Sequence, residues 1–275
     1  MIGNFKKILR KPANVTFILL GLGLLFLAFF GKQVAPYNPL KLDMQARLQA
    51  PSWQHWMGTD NLGRDIASRV IAATGLDLLS CLVILVGASV VGVLIGLVSG
   101  FYGGIIDEVM MRISDVFIAF PGLVLALAIS VALGPNLINA MIALVAVWWP
   151  SYARLIRVQA LALRDREYIL AARALGGGSG WVIFRHILPN SLVPLIVLLS
   201  TDAAPALVTA TALSFIGMGV QPPAAEWGSM VNQGSRYLLD AWWMSTFPGL
   251  AILATVLIFN GLVEIVRGQL SKTHA

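Results

Sequence analysis

Apolar residues in this chain come in long unbroken blocks, not in the alternation of a half-buried strand. Six blocks stand out: Val15 to Phe30, Leu78 to Tyr102, Ile113 to Leu133, Leu137 to Arg157, Leu192 to Phe215 and Thr246 to Val266. A helix needs about 20 apolar residues to cross the hydrocarbon core of a bilayer, so blocks of this length predict an all-α, polytopic membrane protein with about six spans. A transmembrane barrel would show short alternating segments instead.

The blocks differ in their details. In the second, Ala88, Gly92, Gly96, Gly100 and Gly104 recur every fourth residue. Such a stripe of small residues lets another helix backbone come close, which is how helices pack where lipid offers no hydrophobic drive. The third is interrupted by Phe120-Pro121-Gly122, which frees backbone groups that a neighbour or cavity must satisfy. The fourth ends in Trp148, Trp149 and Tyr152, as expected of an aromatic belt. The fifth holds Pro194, Pro205 and the ionisable Asp202. A short polar turn with Asp107, Glu108 and Arg112 is expected between the second and third blocks.

The polar stretches organise the rest. Lys6, Lys7, Arg10 and Lys11 precede the first block; with no small-x-small site after it, that block is expected to be a retained helix and not a cleaved signal. Residues 32–77 form a polar connection carrying Gly58-Thr59-Asp60 and Gly63-Arg64-Asp65, with Asp60 a candidate cap for a short amphipathic helix on the membrane surface. The chain thus divides into 1–77, a first span plus an outer loop, and 78–275, a five-helix core. Within that core, residues 158–190 make the longest polar segment between spans. There Tyr168, Ala171, Ala172 and Leu175 share one helical face, Gly176-Gly177-Gly178 ends the helix, Ser179 is placed to cap a second one, and Pro189 opens the fifth span. Arg166 and Arg173 are expected beside the small face. The bare pattern fits either insertion into a partner's groove or an amphipathic helix held on the inner leaflet by lipid phosphate.

Composition supports the membrane reading and orients it. The chain is 58% hydrophobic and 12% charged, with mean hydropathy +0.81. Its net charge of +6 would suggest nucleic acid in a soluble protein. Here the arginines border apolar blocks, so contact with lipid headgroups is expected and nucleic acid is not. With the amino terminus inside, thirteen of the 19 Lys+Arg lie on inner segments; Lys32, Lys41, Arg47, Arg64, Arg69 and Arg236 lie on outer ones. That bias predicts cytoplasmic termini and places the 158–190 segment in the cytoplasm.

Little enzyme chemistry is available. The single cysteine, Cys81, excludes an internal disulfide, and no metal-ligand, GxSxG, HExxH or GxxxxGK[ST] pattern is present. Asp202 is the ionisable group deepest in a predicted span. It has either a pathway role, as in a self-sufficient proton-coupled carrier or channel, or a structural hydrogen bond to a neighbouring helix. Asp115 and Glu264 are expected to be solvated or paired with Arg112 and Arg267. The tryptophan-rich stretch 217–245, with Trp227, Trp242 and Trp243, is expected to face a delivering protein or guard a pore mouth.

The segment LAARALGGGSGWVIFRHILP resembles the cytoplasmic loop of permease subunits of binding-protein-dependent ABC importers. Their pattern is Glu-Ala-Ala, three residues, Gly, nine residues, Ile-x-Leu-Pro. Ala171, Ala172, Gly176, Leu188 and Pro189 match at the right spacing; Leu170 replaces the Glu and His186 the Ile, so no salt bridge from position 170 is expected. HWMGTDNLGRDIASR, the two FPG triplets and LSFIGMGVQPPAAEWGSM are similar to the second permease of dipeptide, oligopeptide and nickel importers. The resemblance implies the type I importer permease (MetI-like) fold and a chain that binds no cofactor itself. It further implies a homologous permease partner, two cytoplasmic ATPase subunits that hold ATP and Mg²⁺, and a periplasmic or lipid-anchored binding protein that delivers substrate. Tyr168, Ala171, Ala172, Arg173, Leu175 and Gly176, with Leu188 and Pro189, would then form the ATPase-coupling loop. Gly58, Thr59, Asp60, Gly63, Arg64 and Asp65 would form a periplasmic motif.

Overall fold

The computed structural model describes residues 11–270, so Lys6, Lys7, Arg10 and Lys272 lie outside the described residues. The described chain is helical, with ten α-helices, besides a short 3-10 turn at Met44–Ala46 and a π turn at Ile183–Ile187: α1 (Pro12–Val34), α2 (Ile66–Tyr102), α3 (Gly104–Ile118), α4 (Gly122–Leu133), α5 (Leu137–Arg164), α6 (Glu167–Ala174), α7 (Ser179–Val182), α8 (Leu188–Phe215), α9 (Trp227–Ser235) and α10 (Trp243–Leu270). Among the described residues there is no strand beyond one isolated bridge between Thr59 and Asp65. Five helices are long and apolar enough to cross a membrane: α1, α2, α5, the α7–α8 unit and α10. The α3–α4 pair reaches that criterion only when taken together.

Helix α2 is the longest element and the spine of the bundle. The small-residue stripe meets α5 as its pattern predicts: Gly92 lies against Trp149 and Tyr152, Gly96 against Ala153 and Ile156, Gly100 against Arg157 and Ala160. A Cβ at Gly92 would stand 2.5 Å from that of Tyr152, so any larger residue forces the helices apart. Gly104, the last of the stripe, touches nothing and belongs to the turn into α3. Because the partners climb in register, α2 and α5 run parallel. The chain between them must therefore return across the bundle, and α3 with α4 makes that return as one broken span.

Several expectations need correction here. The second span begins at Ile66, not Leu78, and α2 passes through residue 77 without a break. At about 1.5 Å per residue its 37 residues reach roughly 55 Å, well beyond the hydrocarbon core, so no separate surface helix precedes it. Asp65, not Asp60, caps it, accepting Ser68 N at 2.7 Å and Ser68 Oγ at 2.6 Å. The supposed turn around Asp107, Glu108 and Arg112 is helical, the body of α3. The chain bends by 91° between α3 and α4, at Pro121, which has no N–H for a continuous helix.

Ser179 opens α7 without capping it. Helix α7 does not stop before the fifth span: it passes through one π turn, Ile183–Ile187, straight into α8. Leu188 N donates to Ile183 O across that turn, a register that accommodates the missing donor of Pro189 next along. Asp115 pairs with Arg154 at 2.5 Å and Arg112 with Glu108, while Arg267 donates to Thr201 Oγ1 instead of meeting Glu264.

Helix α1 crosses α2 antiparallel, with Gly31 against Ile71 and Gly75 against Ala28. Trp243 at the start of α10 bonds Thr59, and Arg267 near its end reaches α8. The bundle therefore has one end built from residues 37–65 and α9, and an opposite end built from the Arg164–Pro189 segment, toward which both described termini point.

Candidate functional site

The first end is a closed polar knot. Gly58-Thr59-Asp60 and Gly63-Arg64-Asp65 fold back on each other, with Asp60 N donating to Arg64 O at 2.9 Å and Gly63 N to Asp60 O at 3.0 Å. Asp60 Oδ1 accepts Leu62 N and Arg64 N; its Oδ2 accepts Arg64 Nε at 2.6 Å and lies 3.8 Å from Arg69 Nε. Asp65 holds His55 Nδ1 at 2.9 Å in addition to capping α2. Thr59 donates its hydroxyl to Ala46 O and receives Gln49 N, and its carbonyl takes Trp243 Nε1 at 3.1 Å. Arg69 donates to Pro39 O at 3.2 Å, and Arg64 Nη2 to Gln233 Oε1 at 3.2 Å. Thr59, Asp60, Arg64, Asp65 and Arg69 are all buried. Asp60 faces both arginines and Asp65 serves His55 and Ser68, and these bonds tie the loop to α2, α9 and α10.

Two tryptophans belong to this knot and not to an exposed mouth. Trp227 is buried and donates Nε1 to Val70 O at 3.0 Å, and Trp243 is buried against Thr59. Of the three expected to face outward, only Trp242 is exposed. Asp77 also went unnoticed in the sequence. At 3% exposure it is more buried than the half-buried Asp202, accepts Trp227 N at 3.2 Å and lines one small cavity with Glu226. Glu226 in turn caps α9 through Gly228 N and Ser229 N. A carboxylate inside an otherwise apolar block was the available signal.

Midway along the bundle, Asp202 accepts the Tyr152 hydroxyl at 2.9 Å, joining α8 to α5. Cys81 Sγ donates to Ala203 O nearby. These contacts give Asp202 a neighbouring-helix partner.

The opposite end is built differently. Helix α6 has eight residues and one fully buried side chain, Ile169, which sits in a cluster with Phe101, Ala160, Val182 and Ile187. Tyr168, Ala171 and Leu175 are exposed, Leu175 at 89%, and Ala172 is half-buried. The Arg173 guanidinium lies 4.4 Å from the centre of the Phe101 ring on α2, so it is engaged by the bundle. Gly176, at φ +89°, closes α6 with two backbone bonds, Gly176 N to Arg173 O and Gly177 N to Ala172 O. That pairing is the Schellman arrangement, and its left-handed residue favours glycine. Tyr168, Trp181 and His186 pack edge to face, so His186 fills an aromatic joint where the pattern has an aliphatic residue. Below the segment, Asp107 takes Arg157 through two bonds of 2.5 and 2.6 Å, and Arg164 Nη1 reaches Gly100 O. Neither Leu188 nor Pro189 is on the exposed face of α6; they open α8.

With this geometry in view, comparison with known proteins is informative. A family model described as "Binding-protein-dependent transport system inner membrane component" matches residues 92–272. The chain belongs to that family. Among relatives of this inner membrane component is the probable D,D-dipeptide transport system permease protein DdpC of Escherichia coli (strain K12), 45% identical over 94% of this chain and 87% of its own. The dipeptide transport system permease protein DppC of Alkalihalophilus pseudofirmus is 38% identical over 97% and 88%. The glutathione transport system permease protein GsiD of Pectobacterium atrosepticum is 37% identical over 97% and 89%. The match makes this a membrane transport subunit working with other components of a transport system, and nothing in it favours a self-sufficient carrier. The matched region contains α6 and its turn; the Gly58–Asp65 knot lies outside it.

Proposed function

We propose that this chain is one of two homologous permease subunits that together line the membrane pathway of an ATP-driven peptide importer, working by alternating access. The observation that carries the reading is helix α6. It presents Tyr168, Ala171 and Leu175 outward, and it is joined to the bundle through Ile169, the Arg173–Phe101 stack and the Tyr168–His186–Trp181 joint. A helix displayed in this way can enter a cleft of an ATPase subunit and pass a push directly to α2, α5 and the π turn that leads into α8, because Phe101, Ala160 and Ile187 surround its anchor.

In this reading two ATPase subunits bind ATP and Mg²⁺ and dock on α6 here and on its counterpart in the partner permease. The Lys/Arg bias of thirteen inner against six outer residues supports α6 and both termini lying in the cytoplasm and the Gly58–Asp65 knot outside, where a periplasmic or lipid-anchored binding protein would deliver substrate. Relatives named for dipeptides, D,D-dipeptides and glutathione support small peptides as cargo.

Replacing Gly176 with tryptophan tests this. No atom within 4 Å opposes a side chain there, so the bundle keeps its fold, while the left-handed backbone and the added bulk spoil the docking turn. The variant should insert into the membrane in normal amount and lose ATP-dependent uptake. Wild-type uptake in Gly176→Trp would overturn the proposal.

A further inference from the structure

A pocket of about 270 Å³ with mixed polar and apolar walls opens at the knot end, between the turn that follows α8 and helix α9. Asn61, Gln221, Asn232, Gln233, Arg236 and Tyr237 are among its walls. Three of these have one side-chain polar atom engaged in a bond to the surrounding chain. Gln233 Oε1 accepts from Arg64, Asn232 donates to Phe215 O at 2.6 Å, and Gln221 donates to Gly217 O and Gly219 O. Each amide so fixed keeps its other polar atom for a ligand. Arg236 stands apart: it is exposed, its guanidinium has no ion pair and no hydrogen bond among the described residues, and no carboxylate lines the pocket.

The pocket also explains what the Gly58–Asp65 knot is for. Asp60 is turned inward onto Arg64 and Asp65 onto Ser68, and what the knot offers to the pocket is Asn61 in its turn and a Gln233 that accepts from Arg64.

One uncommitted guanidinium among pre-set amides suits a carboxylate followed by amide bonds. The volume lies just below the range of about 300–1,000 Å³ typical of small-molecule sites, room for one end of a small peptide and not a long chain. We propose that this pocket receives the carboxyl-terminal end of an incoming peptide, its terminal carboxylate on Arg236 and its last amide groups on Asn61, Asn232 and Gln233. The inference rests on the importer reading above and adds the chemistry by which the permease itself recognises its cargo.

The test uses the complete transporter reconstituted in vesicles, with the binding protein saturated by tri-alanine or by tri-alanine carboxamide. Initial ATP-driven uptake is read for each. Arg236→Gln should lower uptake of the free acid about tenfold or more and that of the amide far less, because a charge-assisted pair is lost for one and not the other. Arg236→Lys should recover part of the acid's uptake. For a binding protein that refuses the amide, charge becomes the variable: Asn61→Asp places a carboxylate in the pocket and should depress uptake of the acid. Equal losses for acid and amide, no loss in either, or failure of the Arg236→Gln transporter to bind the loaded binding protein would overturn the pocket. So would full uptake of the acid by the Asn61→Asp transporter. If the wild-type assembly moved neither peptide while hydrolysing ATP, the peptide reading itself would fall, and this inference with it.

Discussion

The two ends of this bundle solve opposite problems with similar residue types. At the knot end, Asp60, Arg64, Asp65 and Arg69 are buried and bonded within the chain, and Trp227 and Trp243 turn inward to donate to backbone carbonyls. At the other end, Tyr168, Leu170, Leu175, Trp181 and Phe184 stand exposed. The first arrangement fixes a shape within the chain. The second leaves apolar area that only another molecule can cover. A charged motif and an apolar face therefore carry the reverse of their usual meanings here, the charges being structural and the apolar residues being the surface for contact.

The largest effect expected from breaking that contrast is at Gly63. Its φ is +72°, and a Cβ there would overlap the Asp43 carbonyl. Backbone has no room to yield on either side, so Gly63→Val should cost more than about 4 kcal/mol, in the range reserved for severe lesions. The expected observation is almost no monodisperse protein after detergent extraction. Wild-type yield would mean that the knot is loose.

Next comes Asp60. Removing its carboxylate in Asp60→Ala leaves Arg64 and Arg69 buried without their counter-charge, a change that typically costs about 3–5 kcal/mol. A thermal unfolding midpoint lowered by several degrees is expected. Replacing Arg64 and Arg69 by methionine in the same chain should return part of the loss, which separates an uncompensated charge from simple loss of packing.

How much of this contrast can be read in the sequence depends on where each residue's partner lies. Membrane spans and the α2–α5 stripe are legible because each depends on one helix's own composition: Gly92, Gly96 and Gly100 announce a close approach wherever the partner is. The C-terminal turn at Gly176 is local too, closed by bonds to Arg173 and Ala172. The roles of Asp77 and Trp227 are not legible, since their partners lie about 150 residues away along the chain: Trp227 donates N to Asp77 and Nε1 to Val70 O. The same holds for Trp243, whose acceptor is Thr59, 184 residues back. The start of α2 was misplaced for a related reason: Arg69 and Asp77 look like loop residues until Pro39 O and Trp227 N satisfy them. On α6 the small face was legible, but which face meets the bundle was not. Periodicity alone does not tell a buried Ile169 from an exposed Leu175.

Ile169 gives the third effect, smaller and local. Truncating a fully buried isoleucine to alanine costs about 2–5 kcal/mol in a core, and here α6 has no other wholly buried side chain. Ile169→Ala should therefore free α6 without unfolding the bundle. Amides of residues 167–174 should lose hydrogen-exchange protection while those of α2 keep theirs. Equal loss in both would show that α6 is part of one cooperative unit with the spine.

The smallest expected effect on stability is also the one that separates the two ends most cleanly. Leu175 is 89% exposed, so Leu175→Ser removes almost no buried area and should shift unfolding by no more than about 0.5 kcal/mol. A residue that contributes so little to its own fold, at the tip of a helix anchored by its neighbour Ile169, has its apolar side chain for a partner. Leu175→Ser should thus weaken recovery of the ATPase subunits with the detergent-extracted complex and lower ATP-driven uptake in proportion, with insertion and melting unchanged. Asp60→Ala must show the inverse: reduced melting, with ATPase recovery per folded molecule unaltered. If both variants reduced ATPase recovery per folded molecule alike, the ends would be mechanically continuous, and the division between a knot that shapes the chain and a face that meets its partner would have to be abandoned.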